Sequence, residues 1–524
     1  MHQLFYISEL IDRILLCLRD EKDYASLARI ARTCKTLEDP SLDILWYHQD
    51  NLVPLLLVMY PDVPEMHSGA KIFEDARTSR ENMPIFHSDN DESRLAKYAH
   101  KIHEFCLCIP YNSLKFHRNL AFIDAVEGLL NSLGGVPFPE LRTLAWPLES
   151  IPVSSYDLVT RFLGPNLASI TFHYTSLDES ALDLMNASIV QALNQYSPPL
   201  QKLRMDNICN SNLTSCVIQS FRTLQIVSLR NQNGFASWFA LAQLPNLIEF
   251  TCSNIALDPI MHPSSLHVPS IDHPFASLKT LKMSGDIPEV IWMLSFFKLP
   301  AVSSLDLRLD DPRNSRERDK LLLEFSSNLS SIVLQSHKFS LVSESHDAEW
   351  KAFLPPLTLT SQVIRKFTTC FPNMIEFAMG VEWKFDVDDE SIHHLTKSWP
   401  YLKELMLDPM SKFYWNDSIH RPTFNCLKSF ASHCLQLNNL SIYLDSSDTD
   451  IDYDEVIISE SPLKSLDVGE SSNPNPTKVA HYLTRLFPNL EDLGYSSADS
   501  LQEELDHDEP DEDWGLTYGL MFPR

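Results

Sequence analysis

Glycine is scarce in this chain, with 12 residues in 524 against 33 prolines. Loops that cradle a phosphate or dinucleotide depend on glycine, because only glycine lets backbone amides approach the ligand closely. None of the GxGxxG, P-loop, HExxH or GxSxG patterns occurs. The ten cysteines (Cys17, Cys34, Cys106, Cys108, Cys209, Cys216, Cys252, Cys370, Cys426 and Cys434) contain no CxxC pair. That spacing excludes a zinc ribbon and a thioredoxin-like redox pair. It fits reduced core thiols, and so a cytoplasmic or nuclear protein. Long apolar runs are missing too. The longest, Leu52–Tyr60, is broken by Pro54 and is too short to span a bilayer. Glu9 and Asp12 stand where a signal peptide needs basic residues. Positive charge is short, 42 Lys and Arg against 70 Asp and Glu. The net charge of −28 disfavours general binding to nucleic acid. It serves either solubility or a preference for basic partners. The pairs His393-His394 and His100-x-x-His103 lack further ligands at metal spacing. No cofactor, metal or catalytic site is expected.

What the chain has instead is a repeated phrase, (Phe/Leu)-Pro-x-Leu-x-x-Leu-x-apolar. It is plainest at Phe138-Pro139-Glu140-Leu141, Leu244-Pro245-Asn246-Leu247, Phe371-Pro372-Asn373-Met374 and Phe487-Pro488-Asn489-Leu490. With the first Leu of the phrase as position 0, the anchors are Ile102, Leu141, Leu167, Leu200, Leu224, Leu247, Leu278, Val302, Leu329, Met374, Leu402, Leu437, Leu463 and Leu490. Positions +3 and +5 are apolar in all fourteen, from Phe105 and Leu107 to Leu493 and Tyr495. Such alternation marks a strand with one buried face. Before the phrase the period becomes helical, as in Ser361–Phe367, where Ser361 is placed as the N-cap, and in His481–Phe487. Proline then stops the helix. The unit is helix, proline turn and short strand, about 29 residues long.

These units resemble leucine-rich repeats over about three quarters of the chain. The asparagine usual at +8 is missing, while Asn207, Asn231 and Asn254 sit at +7. The resemblance implies an α/β solenoid, a horseshoe with an inner parallel sheet and outer helices.

The first fifty residues follow another pattern. Ser8 is placed as the N-cap of a helix with Leu10, Ile14 and Leu18 on one face and Ile11 and Leu15 beside them. Asp23 caps a second helix with Leu27, Ile30, Ala31 and Cys34. Asp39-Pro40 is placed as the start of a third carrying Leu42, Leu45 and Trp46. Three short helices cannot bury all their apolar surface alone, so they need a partner, either the adjoining array or another protein.

Ile7-Ser8-Glu9-Leu10, Ile14-Leu15-Leu18, Leu27–Lys35 and Leu45-Trp46 are similar to an F-box, with Ser8 where that family usually has Pro. The resemblance implies a non-catalytic substrate receptor of a cullin-type (SCF) ubiquitin ligase. It would dock a Skp-type adaptor, and through it a cullin, by Ile7, Leu10, Ile14, Leu15, Leu18, Leu27, Ala31 and Trp46. The other reading is a leucine-rich-repeat interaction scaffold without a ubiquitin role, its N-terminal helices a cap on the first repeat. The expected layout is residues 1–50 helical module, 51–100 helical linker, 101–500 repeat array and 501–524 acidic tail.

In a horseshoe, positions +2, +4 and +6 face the concave side. They hold Lys202, Arg204, Arg230, Lys282 and Arg308 in the first half, with Glu249 and Asp306 among them, and Glu376, Glu404, Asp408, Asp467 and Asp492 in the second. This pattern predicts a protein substrate laid along the face, its basic part toward the C-terminal end. Three interruptions break the period: Gln335–Leu357, the loop after Leu407 with Tyr414 and Trp415, and the acidic run Asp445–Glu455. Exposed aromatics such as Tyr414 and Trp415 serve often as interface anchors.

Overall fold

The computed structural model describes residues 8–50, 52, 54–55, 58, 89–107, 120–147, 157–173, 179–205, 211–230, 235–255, 274–286, 289–290, 293–294, 299, 301–310, 337–343, 358–380, 384–407, 420–445, 459–469, 471–473, 475–495 and 512–522. They form two compact units, Met1–Asn246 and Leu247–Arg524. Each is an α/β solenoid among its described residues.

The first unit opens with three helices, α1 (Ser8–Asp20), α2 (Tyr24–Ala31) and α3 (Lys35–Tyr47). Helices α4 (Asp89–Ala99), α5 (Leu120–Leu133), α6 (Asp157–Thr160), α7 (Glu179–Tyr196), α8 (Ser211–Ser220) and α9 (Phe235–Ala242) follow. Its parallel strands are β1 (His48–Gln49), β2 (Glu104–Cys106), β3 (Thr143–Pro147), β4 (Ser169–His173), β5 (Lys202–Met205) and β6 (Ile226–Arg230), each paired with the next.

The second unit carries β7 (Glu249–Ile255), β8 (Thr280–Asp286), β9 (Ser304–Asp310), β10 (Lys338–Ser343), β12 (Glu376–Gly380), β14 (Glu404–Leu407), β15 (Asn439–Ile442), β16 (Ser465–Asp467) and β17 (Asp492–Gly494), again parallel and in chain order. A separate parallel pair joins β11 (Thr358–Thr360) to β13 (Lys384–Asp386). Helices α10 (Ser361–Cys370), α11 (Asp389–Ser398), α12 (Cys426–His433), α13 (Pro476–Leu486) and α14 (Glu512–Met521) complete it.

The phrase works as a turn followed by a ladder. The carbonyl three residues before the anchor accepts the anchor's N–H, from Phe138 to Leu141 at 3.2 Å, Trp399 to Leu402 at 3.2 Å and Phe487 to Leu490 at 3.1 Å. Proline at the second position of such a turn pre-sets φ. The carbonyl at +1 then receives two N–H groups from the next unit. That of Lys403 takes Asn438 at 2.8 Å and Asn439 at 3.2 Å, and that of Lys464 takes Glu491 at 2.7 Å and Asp492 at 2.9 Å. This pattern locks the register, so that along the described ladders +3 meets +3, as Leu405 meets Leu440 and Leu440 meets Leu466. The described anchors are all buried. Between sheet and helices the apolar face closes with aromatic contacts, Phe339 on Phe367, Phe371 and Phe377, and Phe377 on Trp399 at 4.8 Å.

The asparagine before the anchor supplies a second ladder. Asn166 donates its side-chain amide to Pro139 O at 2.8 Å, Asn246 to Arg222 O at 3.2 Å and Asn489 to Ser461 O at 3.0 Å. Each reaches the carbonyl two residues before the anchor of the preceding unit, so the bond ties successive turns together.

Several expectations are corrected. The strand between β9 and β12 is β10, since β9 pairs directly with β10 and β10 with β12; the unit expected at Leu329 lies outside the described residues. Phe339 and Leu341 thus fill the buried +3 and +5 positions. Helix α3 starts at Lys35, and Pro40 lies inside it. As the sixth residue, Pro40 lies past the first turn and offers no N–H to the Thr36 carbonyl four residues back. Ser8 and Ser361 are the first residues of their helices and not caps. Asp23 does cap α2, its carboxylate accepting Ser26 N–H at 3.0 Å. Within the expected acidic tail, α14 is a packed helix. Trp514 is fully buried and donates its indole N–H to Ser471 O at 2.6 Å. Thr517 Oγ1 accepts from Asn473 Nδ2 at 2.7 Å.

Candidate functional site

Two surfaces carry the residues singled out by sequence. In the N-terminal module, Ile11, Leu15, Leu27 and Leu37 form a buried core, with Leu18, Ile30, Cys34, Ile44 and Leu45 packed around it. Ala31 and Trp46 are buried as well. Five of the expected docking residues (Leu15, Leu18, Leu27, Ala31 and Trp46) therefore hold the helices to one another or to the array. Leu10 and Ile14 differ, with 38% and 56% of their surface exposed. They lie four residues apart on α1 and so share a face, which Cys17, also exposed, extends by one turn. Ile7 lies outside the described residues.

Trp46 occupies the position that the anchor leucine takes in later units. Tyr47 O accepts His103 N–H at 3.0 Å, as a +1 carbonyl should, and His48 pairs with Glu104, a +2 residue. Its ring stacks on Tyr98 of α4 at 4.7 Å. Charged contacts reinforce this junction. Lys97 meets Glu38 at 3.2 Å and Asp39 at 3.1 Å, and Lys101 meets Asp39 and Asp43. The hydrogen bond from Lys97 lowers the Asp39 pKa, and the same contact raises that of Lys97. The helical module is thus built onto the first strand of the sheet.

The second surface is the sheet face turned away from the helices. In the first unit Lys202, Arg204 and Arg230 are exposed on it. In the second unit it forms a groove of about 450 Å³ spanning β8 to β16, lined by Lys282, Asp306, Lys338, Glu376, Glu404, Met406 and Asp467 among others. Its charges are unequally engaged. Lys282 pairs with Glu249 at 3.0 Å, and Lys338 with Glu376. Asp467 is spent internally, one oxygen accepting Ser441 Oγ–H at 2.9 Å and the other Gly469 N–H at 3.0 Å. Its neighbour Gly494 leaves room for it; a Cβ there would lie 3.1 Å from the carboxylate. Glu404 accepts one bond, from Asn439 Nδ2 at 3.2 Å to Oε1. Asp306 and Asp492 have no hydrogen-bond or ionic partner among the described residues, and Asp492 is exposed. Asp408, Tyr414 and Trp415 lie outside the described residues.

Titratable groups elsewhere have structural settings. His393 accepts from or donates to Ser429 Oγ at 3.0 Å, and its ring lies 5.3 Å from that of His433. Burial, followed by the nearby His393 and Lys397, lowers the His433 pKa. Burial raises the Cys252 and Cys426 thiols and pushes Cys434 up to about 12. These thiols stay protonated and unreactive. Among the described residues no group of three or more His, Cys, Asp or Glu is arranged to hold a metal ion, and no helix is long and apolar enough to cross a membrane.

No known family model and no curated protein sequence matches the chain. Among solved structures it is similar to the Rad7 and Elc1 complex of yeast, at 14% identity and a TM-score of 0.37, covering 83% of this chain and 95% of the other. It is also similar to the leucine-rich repeat-containing protein LegL7 from Legionella pneumophila, at 14% identity and a TM-score of 0.29, covering 71% of this chain and 94% of the other.

Proposed function

We propose that the chain is the substrate receptor of a cullin-type ubiquitin ligase, docking a Skp-type adaptor by α1 and a protein substrate by the open face of its sheet. The observation that carries this reading is the exposure of Leu10 and Ile14 side by side on α1, while Ile11, Leu15, Leu27 and Leu37 close the module's core behind them. Two adjacent aliphatic side chains on a short, rigid helix suit an anchor-and-pocket interface. The chain itself breaks no bond in this mechanism. It raises the local concentration of substrate beside the charged conjugating enzyme. Co-expression with a Skp-type adaptor and size-exclusion chromatography tests it. A stable complex that the Leu10→Ala/Ile14→Ala variant fails to form is the expected result; no complex with the native chain removes the reading.

A second reading, an interaction scaffold with no ubiquitin role, draws on Trp46 and β1. Their place in the repeat register makes the three helices a cap on the first strand. A cap and a docking module differ in what α1 does outward, which the same experiment decides.

A further inference from the structure

The open-face groove of the second unit has a charge pattern that names its occupant. We infer that it binds an extended peptide segment bearing two basic residues about five positions apart, with an apolar side chain between them. The inference rests on the open face being a recognition surface. The groove's cations are neutralised in place, Lys282 by Glu249 and Lys338 by Glu376. Of its carboxylates, Asp467 is held by Ser441 and Gly469. What remains for a ligand is the carboxylate of Asp306 on β9 and the second oxygen of Glu404 on β14. The groove is therefore net acidic where it is unsatisfied, and it selects cations and rejects phosphate.

The two carboxylates are three strand steps apart, since β9, β10, β12 and β14 are consecutive neighbours. Glu404 lies two residues back from the position in register with Asp306, so at ~4.8 Å per step and ~3.3 Å per residue the separation is roughly 16 Å, which an extended chain covers in about five residues. The floor between them holds Ser340 and Ala378 in adjacent +4 positions, and Met406 continues that row beside Glu404 on β14. The small Ser340 and Ala378 let a backbone approach the sheet, and Met406, 37% exposed, offers an adaptable apolar contact.

Fluorescence anisotropy of the full chain tests this with a labelled twelve-residue peptide carrying two lysines five positions apart and a leucine midway. A second peptide has glutamate at both lysine positions. The lysine peptide is expected to bind at least tenfold tighter at low salt. That preference should fall severalfold in Glu404→Gln and in Asp306→Asn, and hold in Glu491→Gln, whose carboxylate pairs with Lys464 outside the groove. Equal binding of both peptides, or a preference that survives the two groove substitutions, overturns the charge selection while leaving the face a recognition surface. No binding of either peptide by a chain that still forms the adaptor complex overturns the inference together with the recognition role of this face.

Discussion

Trp46 stacks on Tyr98 with ring centroids 4.7 Å apart and planes 16° from parallel. The contact joins the last turn of α3 to α4, and Trp46 stands where later repeats place their anchor leucine. Trp46→Ala should therefore cost about 3–5 kcal/mol, as for other large core truncations. A double-mutant cycle with Tyr98→Ala by urea denaturation should return a coupling of about 0.5–1.5 kcal/mol. Additive effects would mean that the stacking carries no energy.

The inner and outer faces of α1 should separate cleanly. Leu15 is buried in the module core, and Leu15→Ala should destabilise by about 2–5 kcal/mol. Leu10→Ala and Ile14→Ala should each change stability by no more than about 0.5 kcal/mol, as expected of exposed positions. Denaturant midpoints of the three variants check this.

The C-terminal helix should behave as a structural cap. Trp514→Ala removes a buried ring and its bond to Ser471, at a cost of about 3–5 kcal/mol. Hydrogen exchange should quicken first in α13, against which α14 packs. Unchanged protection of Val479–Leu486 would contradict this.

Acid should weaken the second unit near His433. Its folded pKa lies below the ordinary 6.5, so the neutral ring is the form the fold favours. That contribution is complete above pH 6.5 and is lost as pH falls through the lowered folded value. The urea midpoint should drop between pH 7.5 and 5.5, and His433→Asn should reduce the drop. An equal drop in both proteins would assign the acid sensitivity to other groups.

Most of the array was legible because the signal is redundant. Anchor, +3 and +5 must all be apolar for a strand to lie between its neighbours and the helices, and the fixed phrase repeats that demand. At β10 the phrase is not recognisable, and the strand is set by its neighbours' register, with Phe339 and Leu341 filling the buried positions. The asparagine ladder is not legible in the sequence because it sits before the anchor, where Asn166, Asn246 and Asn489 look like turn residues. Helix α14 was hidden by the acidic run ahead of it, although Trp514, Thr517 and Met521 share one helical face. The docking face was half legible. Helical periodicity groups Leu10, Ile14 and Leu18 but cannot say which apolar stripe turns inward. Packing decides that, burying Leu15, Leu27 and Trp46 and leaving Leu10 and Ile14 outside.

The most direct measurement is the affinity of the purified chain for a Skp-type adaptor by isothermal titration calorimetry, native against Leu10→Ala/Ile14→Ala. Truncating two anchors at about 2 kcal/mol each predicts a loss of roughly a thousandfold with an unchanged circular dichroism spectrum. No binding by the native chain, or equal binding by the double variant, would contradict the account.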